Sequence, residues 1–142
     1  MYKENTGVDI KTVIKKNMAD YQFSVARLAD DIGISYSYLY QVVVNLYQMT
    51  PHCLIETIKM ESAINMISQG HKMTHIYKEL GYGNIRSFRH AFSKRMNMNF
   101  RTCRSKLENC VPYEKEIKRD RYISKLWFRT SHSITSGKAA LQ

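Results

Sequence analysis

The sequence predicts an all-α fold in which two helix-turn-helix subdomains are joined by a long linker helix. Three observations predict it. Apolar residues recur at spacings of three and four between Ser, Thr or Asn helix caps. A capped helix, a Gly and a second capped helix occur twice along the chain. One stretch free of Gly and of internal Pro, 51–69, separates the two occurrences.

Taken in order, Val8, Ile10, Val13, Ile14 and Met18 make one apolar stripe, with Asp9 available as a cap, and predict a helix running to about Tyr21. Ser24 precedes Val25, Leu28, Ala29 and Ile32 as an N-cap, and Gly33 supplies the left-handed residue that ends the helix. Ser35 caps the next, in which Leu39, Val42, Val43 and Leu46 face inward. Thr50-Pro51 opens the longest helix, because Pro suits the first helical position. Its Leu54, Ile55, Ile58, Ala63, Ile64 and Ile67 place one side against neighbouring elements. Thr74 is the expected cap of a short helix containing Ile76 and Leu80 and ending at Gly81. Asn84 caps another with inner face Phe88, Ala91, Phe92 and Met96, and Asn97-Met98-Asn99 turns the chain into a last short helix with Cys103 and Leu107. Beyond it, Pro112 starts a basic amphipathic helix carrying Ile117, Ile123, Leu126 and Trp127, expected to pack on the second half, and the hydroxyl-rich 130–136 is expected to be loose.

The two halves are an internal repeat: Leu28, Gly33, Ser35, Leu39 and Thr50-Pro51 answer to Ile76, Gly81, Asn84, Phe88 and Asn99-Phe100. Charge is distributed unequally over them. The net +10 divides into 0 over 1–50, +6 over 51–108 and +4 over 109–142, and 85–106 holds Arg86, Arg89, Lys94, Arg95, Arg101, Arg104 and Lys106 with no acid. A polyanion is the natural partner of such a field.

Other classes are disfavoured. The longest uncharged stretch, 32–55, is broken by polar residues, so no membrane-spanning segment is expected and a cytoplasmic location is. Three cysteines, none in a C-x-x-C pair, are expected as reduced thiols. His71, His75 and Glu79 have a spacing that could hold a metal on one helix face, but Gly70 and Lys72 place His71 in a linker, so no metal and no cofactor is expected.

Gly81-Tyr82, three intervening positions, Arg86-Ser87-Phe88 and Phe92-Ser93-Lys94 resemble the signature of the AraC/XylS family of bacterial transcription regulators. Ser35-Tyr36-Ser37-Tyr38-Leu39, Thr50-Pro51, Lys59 and Ala63 are similar to that family's first half. The resemblance covers about 8–108. It implies a homeodomain-like tandem, with a DNA-binding domain over 1–108 (first subdomain about 8–50, linker about 51–69, second about 71–108) and a basic C-terminal extension over 109–142. It also implies a sequence-specific regulator of transcription, an activator, that is not an enzyme. The chain departs from the family at Gln48 and Asn97, where Gly is usual, at Asn99-Phe100 for Thr-Pro, at Val43, Val44 and Tyr77, and at Lys59 for Arg.

A recognition helix turns one stripe outward. In the first half that stripe is Ser37, Tyr40, Gln41 and Val44; in the second it is Arg86, Arg89, His90 and Ser93. Ser37, Tyr40, Gln41, Val44, Arg86, Arg89 and His90 are the expected base readers, Gln41 suiting adenine and Arg guanine. Ser24, Ser35, Tyr36, Asn84, Ser87, Lys94, Arg95 and Arg101 are the expected phosphate contacts. The partner is double-stranded DNA, bound by a monomer, with RNA polymerase as a further partner. Few residues precede the first helix, so no small-molecule effector domain is expected. Two other functions compete with this one: a cysteine-based DNA alkyl acceptor, and an antagonist without DNA binding that binds another transcription factor, suggested by the neutral first recognition helix and by Tyr77.

Overall fold

A computed structural model describes residues 3–141, with side chains over 10–131. The described residues form eight helices: α1 (Lys3–Asn17), α2 (Val25–Ile32), α3 (Tyr36–Tyr47), α4 (Pro51–Ser68), α5 (Met73–Glu79), α6 (Ile85–Met96), α7 (Phe100–Glu108) and α8 (Pro112–Leu141).

The caps act as their chemistry requires. Ser24, Ser35, Thr50, Asn84 and Asn99 each accept a hydrogen bond from the backbone N–H three residues on, satisfying a donor that the helix itself leaves free. Gly33 ends α2 in the left-handed region at φ 85°, with its N–H on the Ala29 carbonyl and that of Ile34 on the same oxygen. Gln48 and Asn97 end α3 and α6 in the same left-handed conformation, both at φ 56°. The repeat is thus a repeat of backbone geometry, and it survives loss of the glycines.

Several expectations are corrected. α1 begins before Asp9, which is not its cap, and ends at Asn17, whose amide donates to the Val13 carbonyl at 2.8 Å. It stops short of Tyr21 because Asp20 makes a turn of its own, accepting from the Gln22 N–H at 2.9 Å and pairing with Arg27. Val8 lies outside the residues whose side chains are described. Lys72, not Thr74, occupies the N-cap of α5, and no side chain caps that helix. Leu46 is exposed rather than inward. Residues 130–136 are helical rather than loose, and Thr130 and Ser131 donate their hydroxyls back to the carbonyls of Leu126 and Trp127 at 2.9 and 3.1 Å, within the helix.

Two cores meet in the middle of α4. Ile10, Ile14, Leu28, Leu39, Val43, Leu54 and Ile58 belong to the first; Met60, Ile64, Ile67, Ile76, Phe88, Phe92, Phe100 and Leu107 belong to the second. The second is built on aromatic rings, with Phe88, Phe92 and Phe100 mutually 5.6–5.9 Å apart, each pair adding about 0.5–1.5 kcal/mol beyond burial. Tyr77, bulky where the family has a small residue, is half-buried at the edge of this core.

The linker helix is not a rod with one buried side. Thr57 and Met60 are buried as well as the expected stripe: α8 lies along α4, and Met60 shares a core with its Tyr122 and Leu126, while the Thr57 hydroxyl sits beside Met49 and donates to the Cys53 carbonyl at 2.7 Å. The extension therefore does not pack on the second half alone: Tyr122 and Leu126 enter the second core, while Trp127 packs against the first.

Candidate nucleic-acid interface

In each half the second helix of the pair is anchored by a buried stripe and leaves another stripe in solvent. On α3, Leu39 and Val43 are buried, while Tyr36, Ser37, Tyr40 and Gln41 are exposed and Val44 is half-buried. Asn45, four residues after Gln41 and exposed, extends that strip; the same i, i+4 spacing could have singled it out in the sequence. On α6, Phe88, Phe92 and Met96 are buried, while Arg86, Ser87, Arg89, His90, Ser93 and Lys94 are exposed and Arg95 is half-buried. Ser24, Asn84 and Arg101 are exposed as well, as is Ser35.

The cations around α6 are free to meet an external anion. Arg86, Arg89, Lys94 and Arg101 take part in no ion pair among the described residues. Arg89 and Ser93 of α6 converge with Asn99, Phe100 and Arg101 at the start of α7 around an open cleft of about 380 Å³. Two guanidinium groups and the positive end of a helix suit an anionic oxygen there. Arg104 differs from its neighbours. Its guanidinium donates to the His71 carbonyl, lies 4.9 Å from the centre of the Phe100 ring and faces Glu108 at 3.7 Å, so it holds the fold together.

The cap residues keep capacity in reserve. The Ser35 Oγ accepts from the Tyr38 N–H at 3.1 Å, and its own O–H remains a donor; the Asn84 Oδ1 accepts from the Ser87 N–H at 2.8 Å, and its side-chain NH₂ remains a donor.

Lys59, where the family has Arg, lies 5.0 Å from the centre of the Tyr82 ring, and the Tyr82 hydroxyl donates to Glu56 at 2.9 Å. Burial pushes the Lys59 ammonium below its ordinary range, with Glu56 opposing, and pushes the Tyr82 hydroxyl far up, with Glu56 adding to the rise. This trio ties α4 to the turn before α6 rather than facing solvent.

Nucleophilic chemistry has no foothold in Cys103, whose thiol is buried and pushed up to about 11 by desolvation. The His71 and His75 rings lie 5.1 Å apart, and among the described residues no group of three His, Cys, Asp or Glu side chains is placed to hold a metal. No helix among the described residues is long and apolar enough to cross a membrane.

Comparison with known proteins agrees with this geometry. A family model described as a helix-turn-helix domain matches residues 28–106. No curated protein sequence matches. Among solved structures, the chain is similar to the C-terminal domain of AraT, a response regulator from Geobacillus stearothermophilus, at 21% identity and TM-score 0.63 over 68% of this chain and 81% of that one. It is similar to the C-terminal domain of the two-component response regulator yesN from Fusobacterium nucleatum, at 20% identity and TM-score 0.64 over 70% and 98%. A DNA-binding transcriptional dual regulator from Escherichia coli K-12 is similar at 21% identity and TM-score 0.61 over 69% and 87%. With more than half of its length matched by the family model and the tandem fold shared with these domains, the chain belongs to the AraC-type helix-turn-helix family of DNA-binding transcription regulators, whose domain is a binding module and not an enzyme.

Proposed function

We propose that the chain is a sequence-specific activator that inserts α3 and α6 into adjacent major grooves of one duplex, binding as a monomer through the DNA-binding domain of residues 1–108. The observation that carries this reading is the pairing of a buried anchor stripe with an exposed polar stripe on both helices. The 18 residues of α4, at about 1.5 Å each, span about 27 Å, near the ~34 Å between successive major grooves on one face.

In this reading Ser37, Tyr40, Gln41 and Val44 read one groove and Arg86, Arg89 and His90 the next, Gln41 taking adenine and an Arg taking guanine. Ser24, Ser35, Tyr36, Asn84, Ser87, Lys94, Arg95 and Arg101 hold phosphates, helped by the capped helix starts. The exposed side of the extension over residues 109–131 meets RNA polymerase, and the protein acts in the cytoplasm.

Selecting bound sequences from a random duplex pool tests the reading. Two half-sites about one helical turn apart are expected, and placing them upstream of a promoter is expected to raise transcription in a purified system. Recovery of no preferred sequence, together with no gel-shift complex on random duplex at low salt, would overturn it in favour of the antagonist.

A further inference from the structure

We propose that α8 is a brace that sets the spacing and relative orientation of the two recognition helices, with Trp127 and Arg129 as its positioning residues. The inference rests on the proposed two-groove reading for its consequence on DNA, but its structural part does not.

Within three residues α8 reaches the C-terminal ends of both recognition helices. Trp127 stands 6.3 Å, ring to ring, from Tyr47, the last residue of α3. Arg129 donates to the carbonyl of Met96, the last residue of α6, at 3.1 Å. A cation there also meets the negative end of that helix.

Both contacts are fastened to the frame between them. The Trp127 Nε1–H donates to Glu61 of α4 at 2.7 Å. Lys11 of α1 places its ammonium 4.8 Å from the Trp127 ring and 5.5 Å from that of Tyr47, so four helices meet at one indole. Immediately before it, Leu126 is fully buried in the second core, and Tyr122 is nearly so. A tilt of either subdomain about α4 must therefore break a part-buried hydrogen bond or a ring contact.

The consequence on DNA follows from helical geometry. One added base pair moves the second half-site by about 3.4 Å and turns it by about 35°. A braced pair of helices cannot follow that change, whereas a loosened pair can, at the cost of ordering itself on binding.

The test uses the full chain, as wild type and as Trp127→Phe, Arg129→Gln and the combined Trp127→Ala and Arg129→Ala form, with far-UV circular dichroism to check folding. Residual dipolar couplings without DNA report whether one alignment tensor fits residues 10–58 and 60–107. A single tensor is expected for the wild type and two for the double variant. On a duplex with its selected spacing and on duplexes lengthened or shortened by one base pair, the wild type is expected to lose at least about tenfold in affinity with altered spacing. The double variant is expected to lose only a fewfold, and to bind a single half-site as the wild type does. Should the double variant fail to fold, Trp127→Phe, which keeps an aromatic ring but loses the indole N–H and its bond to Glu61, and Arg129→Gln carry the same comparison. One tensor in every folded variant, or an unchanged spacing penalty, overturns the brace. A wild type that shows one tensor but binds no duplex overturns the DNA reading instead.

Discussion

The backbone of Gly81 lies against the carbonyl oxygen of Met18, so the tight turn of the second helix pair abuts the connection between α1 and α2 of the first. A β-carbon built on Gly81 would overlap the Met18 carbonyl and crowd that of Asp20. The two halves touch here as well as through α4 and α8, and the glycine serves two ends: a left-handed turn at φ 76° and a close approach.

Gly33 provides the comparison, since it has φ 85° and open space around its missing side chain. Gly33→Ala is expected to cost about 1–2 kcal/mol from backbone strain alone. Gly81→Ala is expected to cost about 3 kcal/mol or more, strain and overlap together. Urea midpoints at constant m-value measure both; equal losses would refute the contact with Met18.

Gln48 and Asn97 hold left-handed backbone without being glycine. Gln48→Gly is expected to stabilise by up to about 1 kcal/mol, raising the melting temperature by a few degrees, and Asn97→Gly by less, because Asn tolerates this region better. The Gln48 amide donates to the Asn45 carbonyl at 2.9 Å, which offsets part of the gain. Scanning calorimetry of both variants gives the order.

Free cations surround α6, whereas the first half carries no net charge. Replacing Arg89 and Lys94 by Ala is expected to flatten the slope of log K against log salt by at least about 0.9, the share of the Lys94 phosphate contact. Gln41→Ala is expected to leave that slope intact and to lose about 1–3 kcal/mol of discrimination at one base pair. Titrations at four salt concentrations separate the two, and a common slope for both variants would contradict the division of labour.

Tyr82, Tyr47 and Tyr122 hold their hydroxyl protons more tightly folded than unfolded, chiefly because burial disfavours the phenolate. That stability is fully present below about pH 10, the unfolded value, and is lost as pH rises above it. Lys59 acts in the opposite sense, since its ammonium is disfavoured by burial and deprotonation relieves the cost. With these three tyrosines and the Cys103 thiol raised against one lowered group, unfolding free energy is expected to fall at alkaline pH, and less steeply in Tyr82→Phe. At pH 7 that variant leaves Glu56 without its donor and is expected to lose about 1 kcal/mol. Urea titrations between pH 7 and alkaline pH follow both effects, and parallel profiles would exclude Tyr82 as a titrating group.

Cys103 is buried and its thiol raised, whereas Cys53 and Cys110 are half-buried. With an aromatic disulfide at pH 8, two thiols are expected to react in the folded protein and the third only on unfolding; prompt reaction of Cys103 would contradict the packing of α7.

The sequence by itself determined much of what depends on near neighbours: the side-chain caps at Ser24, Ser35, Thr50 and Asn84 though not those expected at Asp9 and Thr74, the left-handed ends at Gly33 and Gly81, the buried stripes of α3 and α6 apart from Leu46, and the basic stretch around α6. Each rests on relations between residues three or four apart, which pattern alone carries. The exposed stripe of candidate readers follows directly, because it is the complement of the buried one. Only tertiary structure decided that α8 lies along α4 and links both halves, that Gly81 abuts Met18, that Trp127 meets Glu61, and that Arg104 holds the fold while Arg101 stays free. Those partners stand tens of residues apart, and an amphipathic helix specifies that it must be covered without specifying by what. The buried flank of α4 shows the limit most clearly: Met60 breaks the expected one-sided stripe, and the helix whose Tyr122 and Leu126 share its core comes from the far end of the chain.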